Sequence, residues 1–420
     1  MPSGLRARWG RLPLRALGAL AGQVTLALGS LVLQVAASRE LGAAGFGTFS
    51  LLLGAVVMAT AVTTGLLGDS LTVLDRHEPS VRAALFRLSW VLVAALVLLG
   101  LGLALTRFSA GTAALFATAL GAFVSADLVR RLLMRNLRFW SLVLVDGFGL
   151  VAVLAFLLAC RSSGPITLDH LLAALAIGQV TAGAAGWFRL PEAERRRPRG
   201  GWGDWRAVLG YGRWRALQQF VRPTMLNGAR WIVLAVAGAA AVGELEAARI
   251  FVAPAMLLVQ GFGTYLFSSY AADRAEGPRA LLVRADRAAK VMISGSVLVA
   301  VAAGLLLPHL DWLFTAGEFE LSLIATLGWA CYAASCAAVL PYGSLAAVQG
   351  KQHWVLLIRV VDSALSLALV ASLLGATSLG PQWMPWLLSI GSFVGGLLCR
   401  RLVATSADRP GAAAPVHSPA

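Results

Sequence analysis

The chain is a series of apolar stretches, each long enough to cross a lipid bilayer, and its arginines fall almost entirely in every second gap between them. About 20 apolar residues rising ~1.5 Å each span a hydrocarbon core of roughly 30 Å. Twelve stretches are readable. They lie at about 14–37, 46–69, 84–106, 110–129, 140–160 and 167–188, then at 214–240, 247–272, 288–308, 321–347, 354–376 and 383–404. No water-soluble fold needs that many. The expected fold class is therefore all-α integral membrane, with about twelve transmembrane helices. The first stretch is too long for a cleavable signal peptide and is followed by others.

Charge placement sets the orientation. Only 13% of residues are charged, against about 25% in soluble domains. The net charge of +15 would fit a nucleic-acid partner, but the arginines sit in short gaps between spans, where they act as topology determinants and headgroup contacts. Of the 35 Lys and Arg, 28 fall on one side, 4 on the other (Arg39, Arg107, Arg161 and Arg249) and 3 inside spans. By the positive-inside rule both termini face the cytoplasm, as expected of a bacterial cytoplasmic-membrane protein with multiple passes. No nucleic-acid partner is expected.

The longest gap divides the chain into two sets of six spans. From Pro191 it reads PEAERRRPRGGWGDWRAVLGYGRWR, with basic residues interleaved among Trp202, Trp205, Tyr211 and Trp214. This composition suits the anionic inner headgroup layer. One reading has the segment hold acidic lipid or phosphorylated substrate; the simpler one makes it a tether. The expected domains are an N-terminal six-helix lobe (1–190), a basic and aromatic cytoplasmic linker (191–213), a C-terminal six-helix lobe (214–406) and a disordered cytoplasmic tail (407–420). The halves echo each other weakly: RNLRFW at 135–140 and GKQHW at 350–354 each precede a span with one aspartate, Asp146 or Asp362. Halves of like orientation are a transporter design.

Ionisable residues inside spans are costly and therefore functional candidates. The seventh span is the most polar, with Gln218, Gln219, Arg222, Asn227 and Arg230. Arg222 and Arg230 stand about 80° apart in azimuth and roughly 12 Å apart along a helix. They could line a cavity and hold a diphosphate in bidentate forks. The alternative has Arg222 reaching the inner interface and Arg230 pairing with a carboxylate. Arg359 and Asp362 have the spacing of an intrahelical pair, as do Glu246 and Arg249; Asp127 has Arg130 and Arg131 one turn on. Asp146 has no such neighbour. It could carry a coupling proton or pair across helices, and with Asp127 it is the candidate for ion coupling. In the first span Gln23, Ala27, Ser30, Gln34 and Ser38 form one small, polar face, and Thr60, Thr63 and Thr64 add polarity to the second. Such faces turn toward a bundle interior or a watery cavity. Pro223, Pro254 and Pro341 read as hinges or static kinks. Gly18/Gly22 and Gly391/Gly395 fit close helix contacts.

Cys160, Cys331, Cys336 and Cys399 form no CxxC pair and have no histidine at metal-ligand spacing, so they read as small buried apolar residues. There is no GxxxxGK[ST], HExxH or GxSxG motif, and the outward gaps are short. No enzyme activity, metal or cofactor is expected. Energy for any transport would come from an ion or substrate gradient.

The stretch ASRELGAAGFGTFSLL (37–52) resembles the signature after the first span of polysaccharide biosynthesis proteins. These are the Wzx-type oligosaccharide flippases of the multidrug/oligosaccharidyl-lipid/polysaccharide (MOP) exporter superfamily. VGELEAARIFVAPAMLLVQGFGTYLFSSYA (242–271) and LFTAGEFELSLIATLGWACYA (313–333) are similar to second-lobe regions of that family, although Ser269-Tyr270 stands where many members have proline. The resemblance implies two six-helix lobes rocking around a central cavity. Its cargo would be an undecaprenyl-diphosphate-linked oligosaccharide, a polysaccharide repeat unit moved outward. It implies Arg39, Arg222, Arg230, Arg249 and Arg359 as cavity cations that bind substrate, with Gln23, Ser30, Gln34 and Asn227 as polar lining. Implied partners are the lipid-linked oligosaccharide, membrane lipids, and a polysaccharide polymerase and glycosyltransferases of the same pathway. Two other functions stay open: a cation-coupled multidrug exporter of the same superfamily, or an integral membrane polysaccharide polymerase or ligase.

Overall fold

The computed structural model describes residues 4–407 except 69, 75–77, 137, 197, 199–200, 257–258, 260–261, 263–265, 267–268, 271–276 and 318. Side chains are described from Ala21 to Thr405, those of Gln23, Thr72, Val73, Leu310, Asp311, Leu313 and Phe314 also excepted. The tail from 408 and 11 of the 26 residues of the eighth span (247–272) thus lie outside the described residues.

The described chain is helical. α1 is Gly4–Glu40, α2 Gly42–Thr63 and α3 Ser70–Val73, with a π-helical turn at Thr64–Gly68 between the last two. There follow α4 (Pro79–Leu105), α5 (Ala110–Arg135), α6 (Phe139–Ser163), α7 (Leu168–Arg189), α8 (Glu192–Arg195) and α9 (Trp205–Phe251). The last are α10 (Pro278–Thr315), α11 (Leu323–Val348), α12 (Gln352–Ala376) and α13 (Met384–Ala407). Among the described residues ten helices are long and apolar enough to cross a membrane, and the chain is a multi-pass integral membrane protein. Caps fix several starts. Ser109 accepts from the Thr112 N–H, Thr167 and His170 cap each other reciprocally, and Ser322 accepts from the Ala325 N–H.

The surface is apolar, as lipid requires. Leu98, Leu103, Leu158, Leu298 and Leu305 are all exposed, an arrangement water would not tolerate. The apolar part of α4 is 11% buried and therefore peripheral, whereas that of α11 is 67% buried and central to its bundle. Two compact units emerge: residues Met1–Asn227 with Phe314–Phe319, and Gly228–Leu313 with Glu320–Ala420. The division falls inside the seventh apolar stretch.

Two departures from the sequence reading concern α9. The seventh stretch ends at Gly238, not at 240, and no loop separates it from the eighth. Gly238 has φ 83° and ψ 177°, a backbone only glycine adopts easily, and helix resumes directly after it. At its other end the basic gap is a packed element in place of a tether. Arg82 donates to the carbonyls of Ala193 and Arg196, Arg138 to that of Arg189, and the Asp204 N–H to that of Ser80. Val208 is buried among Leu67, Val81, Ala84 and Leu85.

The π-helical turn explains the closeness of this packing. Thr60, Thr63 and Thr64 hydroxyls bond back to carbonyls one turn earlier, which loosens the helix, and a Cβ on Gly65 would collide with the Ala216 backbone. Gly65→Ala should therefore cost about 1–3 kcal/mol, because backbone must shift to make room. Gly102→Ala, with nothing within 4 Å of the new methyl, should leave the protein as stable or slightly more so. Thermal unfolding of both variants in detergent tests the contrast.

Candidate intramembrane ion-pair sites

The turn at Gly238 creates a charged site in the second unit. Arg230 and Glu246 each lie eight residues from Gly238, one on either side. In a continuous helix they would be about 24 Å apart. The reversal brings them together: Arg230 Nε donates to Glu246 Oε1 at 2.8 Å and Nη2 to Oε2 at 2.9 Å, a bidentate fork. Arg249, one turn beyond Glu246, donates through Nε to the same Oε2 at 2.7 Å. The Glu246 side chain is 1% exposed, that of Arg230 11% and that of Arg249 29%. Two guanidiniums thus share one carboxylate, and Arg249 is the more exposed of the two. Trp329, fully buried, anchors this region by donating to the Leu245 carbonyl at 2.8 Å.

The first unit holds a second charged pair. Arg130 Nη1 lies 3.2 Å from Asp146 Oδ1, with both side chains almost wholly buried. Asp146 is therefore no lone carboxylate; its partner sits across the α5–α6 connection, where no helical spacing could reveal it. Asp127 pairs instead with Arg131, whose Nε donates to Oδ2 at 2.7 Å and whose Nη2 donates to the Thr64 hydroxyl at 2.6 Å. The expected pairing of Asp127 thus holds for Arg131 and not for Arg130. In the second unit Arg359 meets Asp362 at 3.4 Å, as its spacing predicts, and the Ser363 hydroxyl donates to the same carboxylate. Gly391 and Gly395 of α13 face Ser366 and Asp362.

The remaining candidates are dispersed. Arg222 is half-buried in α9, eight residues before Arg230, and Arg39 is exposed at the end of α1. The Gln34 amide donates to the Ser30 hydroxyl and carbonyl of its own helix, and Ser30 is exposed. The Gln23 side chain lies outside the described residues. Asn227 is 4% exposed and donates to the carbonyls of Gly54 and Pro223, which makes it a helix-to-helix fastening in place of the expected polar lining. The threonines of the second span likewise spend their hydroxyls on their own helix. All four cysteines are reduced thiols, with Cys336 and Cys399 buried. Among the described residues no group of His, Cys, Asp and Glu is arranged to hold a metal.

Glu246 is the residue whose role the sequence reading understated. Its i,i+3 spacing showed only Arg249. The symmetric placement of 230 and 246 about a glycine was the available signal for its second partner.

No protein-family model matches the chain, and no curated protein is significantly similar to it. Solved structures do share its fold. One, described as the inward-facing conformation of a multidrug resistance MATE family transporter of the MOP superfamily, is 14% identical, with a TM-score of 0.70 over 91% of this chain and 94% of that one. The outward-facing conformation of such a transporter aligns with a TM-score of 0.64 at 14% identity, covering 94% of each chain. A third is a MOP superfamily transporter from Pyrococcus furiosus, 13% identical with a TM-score of 0.62 and 94% of each chain covered, whose description states that reverse polarity of its binding pocket suggests a different function. This chain has the fold of these transporters.

Proposed function

We propose that the protein is a flippase that carries a lipid-diphosphate-linked oligosaccharide, a polysaccharide repeat unit, across the membrane by alternating access. The observation that carries this reading is the pair of guanidiniums held inside the second unit, where Arg230 and Arg249 converge on Glu246. Asp127, Asp146, Glu246 and Asp362 each rest on an arginine. A guanidinium suits phosphate oxygens through its planar fork. The resemblance of 37–52 and 242–271 to oligosaccharide flippases supports the same cargo. In this proposal Arg39, Arg222, Arg249 and Arg359 guide the diphosphate, Ser30 and Gln34 meet sugars, and Asp127 and Asp146 are the coupling positions.

The test is outward movement of a fluorescent undecaprenyl-diphosphate sugar in proteoliposomes, read by an external quencher. Arg222→Ala and Arg249→Ala should each lower the initial rate at least tenfold, equivalent to ~1.4 kcal/mol of lost stabilisation. Normal rates in both variants at normal protein levels would refute the assignment.

One observation favours a second reading, a cation-coupled multidrug exporter. Asp127 and Asp146 lie inside spans of a fold whose solved relatives include multidrug resistance transporters. Efflux of a cationic dye that fails in Asp146→Asn, with no movement of the sugar lipid, would select it.

A further inference from the structure

The segment entering α9 has two faces of opposite character. Asp204 Oδ1 accepts the Ala207 N–H at 3.0 Å and so caps a helix that runs from Trp205 directly into the seventh apolar stretch. Positions 208, 212 and 216 recur every four residues and form the inner face. Val208 is buried among Leu67, Val81, Ala84 and Leu85, Gly212 lies against Leu66, and Ala216 against Gly65. These contacts hold the segment against the turn after α2 and the start of α4, the side that the positive-inside count assigns to the cytoplasm.

The outer face carries Arg206, Arg213 and Trp214, all exposed, and Trp205, at the first position of the helix, and Trp202 just before it are exposed as well. The Arg206 guanidinium lies 5.4 Å from the Trp205 ring centroid, and that of Arg213 5.9 Å from the ring of Trp214. Trp202, Trp205 and Trp214 are 55%, 42% and 58% exposed, a poor arrangement against water. Indoles settle at the headgroup boundary, where ring and N–H are both satisfied. A guanidinium lying over an indole still presents its donors to a phosphate. Between Arg189 and Arg215 eight arginines face three acids, so the matching surface is anionic.

We propose that this face is a docking surface for anionic phospholipid of the cytoplasmic leaflet, gripped by the Trp205–Arg206 and Arg213–Trp214 pairs. The site stands apart from the transport reading, because it uses none of the arginines assigned to cargo. Since the helix runs on to Arg222 without a break, the grip fixes the cytoplasmic root of the seventh span.

The test uses the full chain in nanodiscs of phosphatidylcholine containing a minor fraction of phosphatidylglycerol, with either lipid carrying brominated acyl chains. Bromine quenches nearby indoles, and the signal of Trp205 and Trp214 is the difference from a Trp205→Phe/Trp214→Phe variant. Phosphatidylglycerol should be enriched around these residues about fivefold over its bulk fraction, the preference that one arginine near an anionic surface gives. Arg206→Gln/Arg213→Gln should bring the enrichment to about one, while Arg206→Lys/Arg213→Lys keeps most of it. Both arginines are exposed, so the unfolding midpoint should not move and each outcome can be read. Equal quenching by the two lipids in the wild-type chain would overturn the proposal, as would an enrichment that survives Arg206→Gln/Arg213→Gln. Indoles shielded from both quenchers would overturn it too, and would assign the face to a protein partner.

Discussion

Glu246→Ala should destabilise the protein by about 3–5 kcal/mol, because it leaves the buried Arg230 guanidinium without its bidentate partner and strips Arg249 of its own. Arg249, the more exposed of the two, can recover part of its loss by reaching water. Arg230 cannot. The loss should therefore track Arg230, and Arg230→Leu/Glu246→Leu should restore most of the stability, since an apolar pair of similar volume avoids the desolvation cost altogether. Thermal unfolding midpoints of the purified full chain in detergent check both statements. An unchanged midpoint in Glu246→Ala would mean that the carboxylate is not the buried hub described. The double variant removes both charges of the buried pair and leaves the net charge of the site unchanged.

The Arg130–Asp146 pair should behave differently on double replacement. Asp146→Ala strands a buried guanidinium and should also cost about 3–5 kcal/mol. The wild-type pair is itself incompletely satisfied: Arg130 Nε and Asp146 Oδ2 are buried and have no hydrogen-bond partner among the described residues. Each such atom retains a desolvation penalty. Arg130→Met/Asp146→Leu should therefore match or exceed the wild-type stability, by up to about 4 kcal/mol. A pair that is dispensable for folding and still essential for transport has a role in the transport cycle, so the same double variant should be stable and inactive. If it proves both unstable and active, the pair is a structural element only.

How far the sequence could be read depends on the range of the physics involved. Span positions follow from local hydropathy, and ten of the helices fall where apolar length placed them. Pairs one helical turn apart were readable for the same reason. Arg359–Asp362, Arg249–Glu246 and Arg131–Asp127 all form at i,i+3 or i,i+4 spacing. Arg130–Asp146 and Arg230–Glu246 depend on how two helices meet after a reversal, which spacing does not encode. The Gly238 turn lies two residues from the expected end of the seventh span, and only its exact residue was obscured, because alanine and valine surround it. The basic segment failed as a tether because its charge and aromatic content describe only its outer face. Its inner face is set by Val208, Gly212 and Ala216, small or apolar residues that carry little signal. Of the two readings of the polar span-two face, the threonines fit the bundle interior, since their hydroxyls bond within their own helix, and Asn227, read as polar lining, is buried and donates to the Gly54 and Pro223 carbonyls.

The central claim is that the guanidiniums of the second unit select an anionic headgroup. It is tested most directly by comparing ligand binding to the purified full chain under identical conditions, using an undecaprenyl-diphosphate sugar and a lipophilic cationic dye. The account predicts saturable binding of the diphosphate, weakened about tenfold or more in Arg249→Ala, and no saturable binding of the dye. Binding of the dye in place of the diphosphate, unaffected by Arg249→Ala, would contradict it.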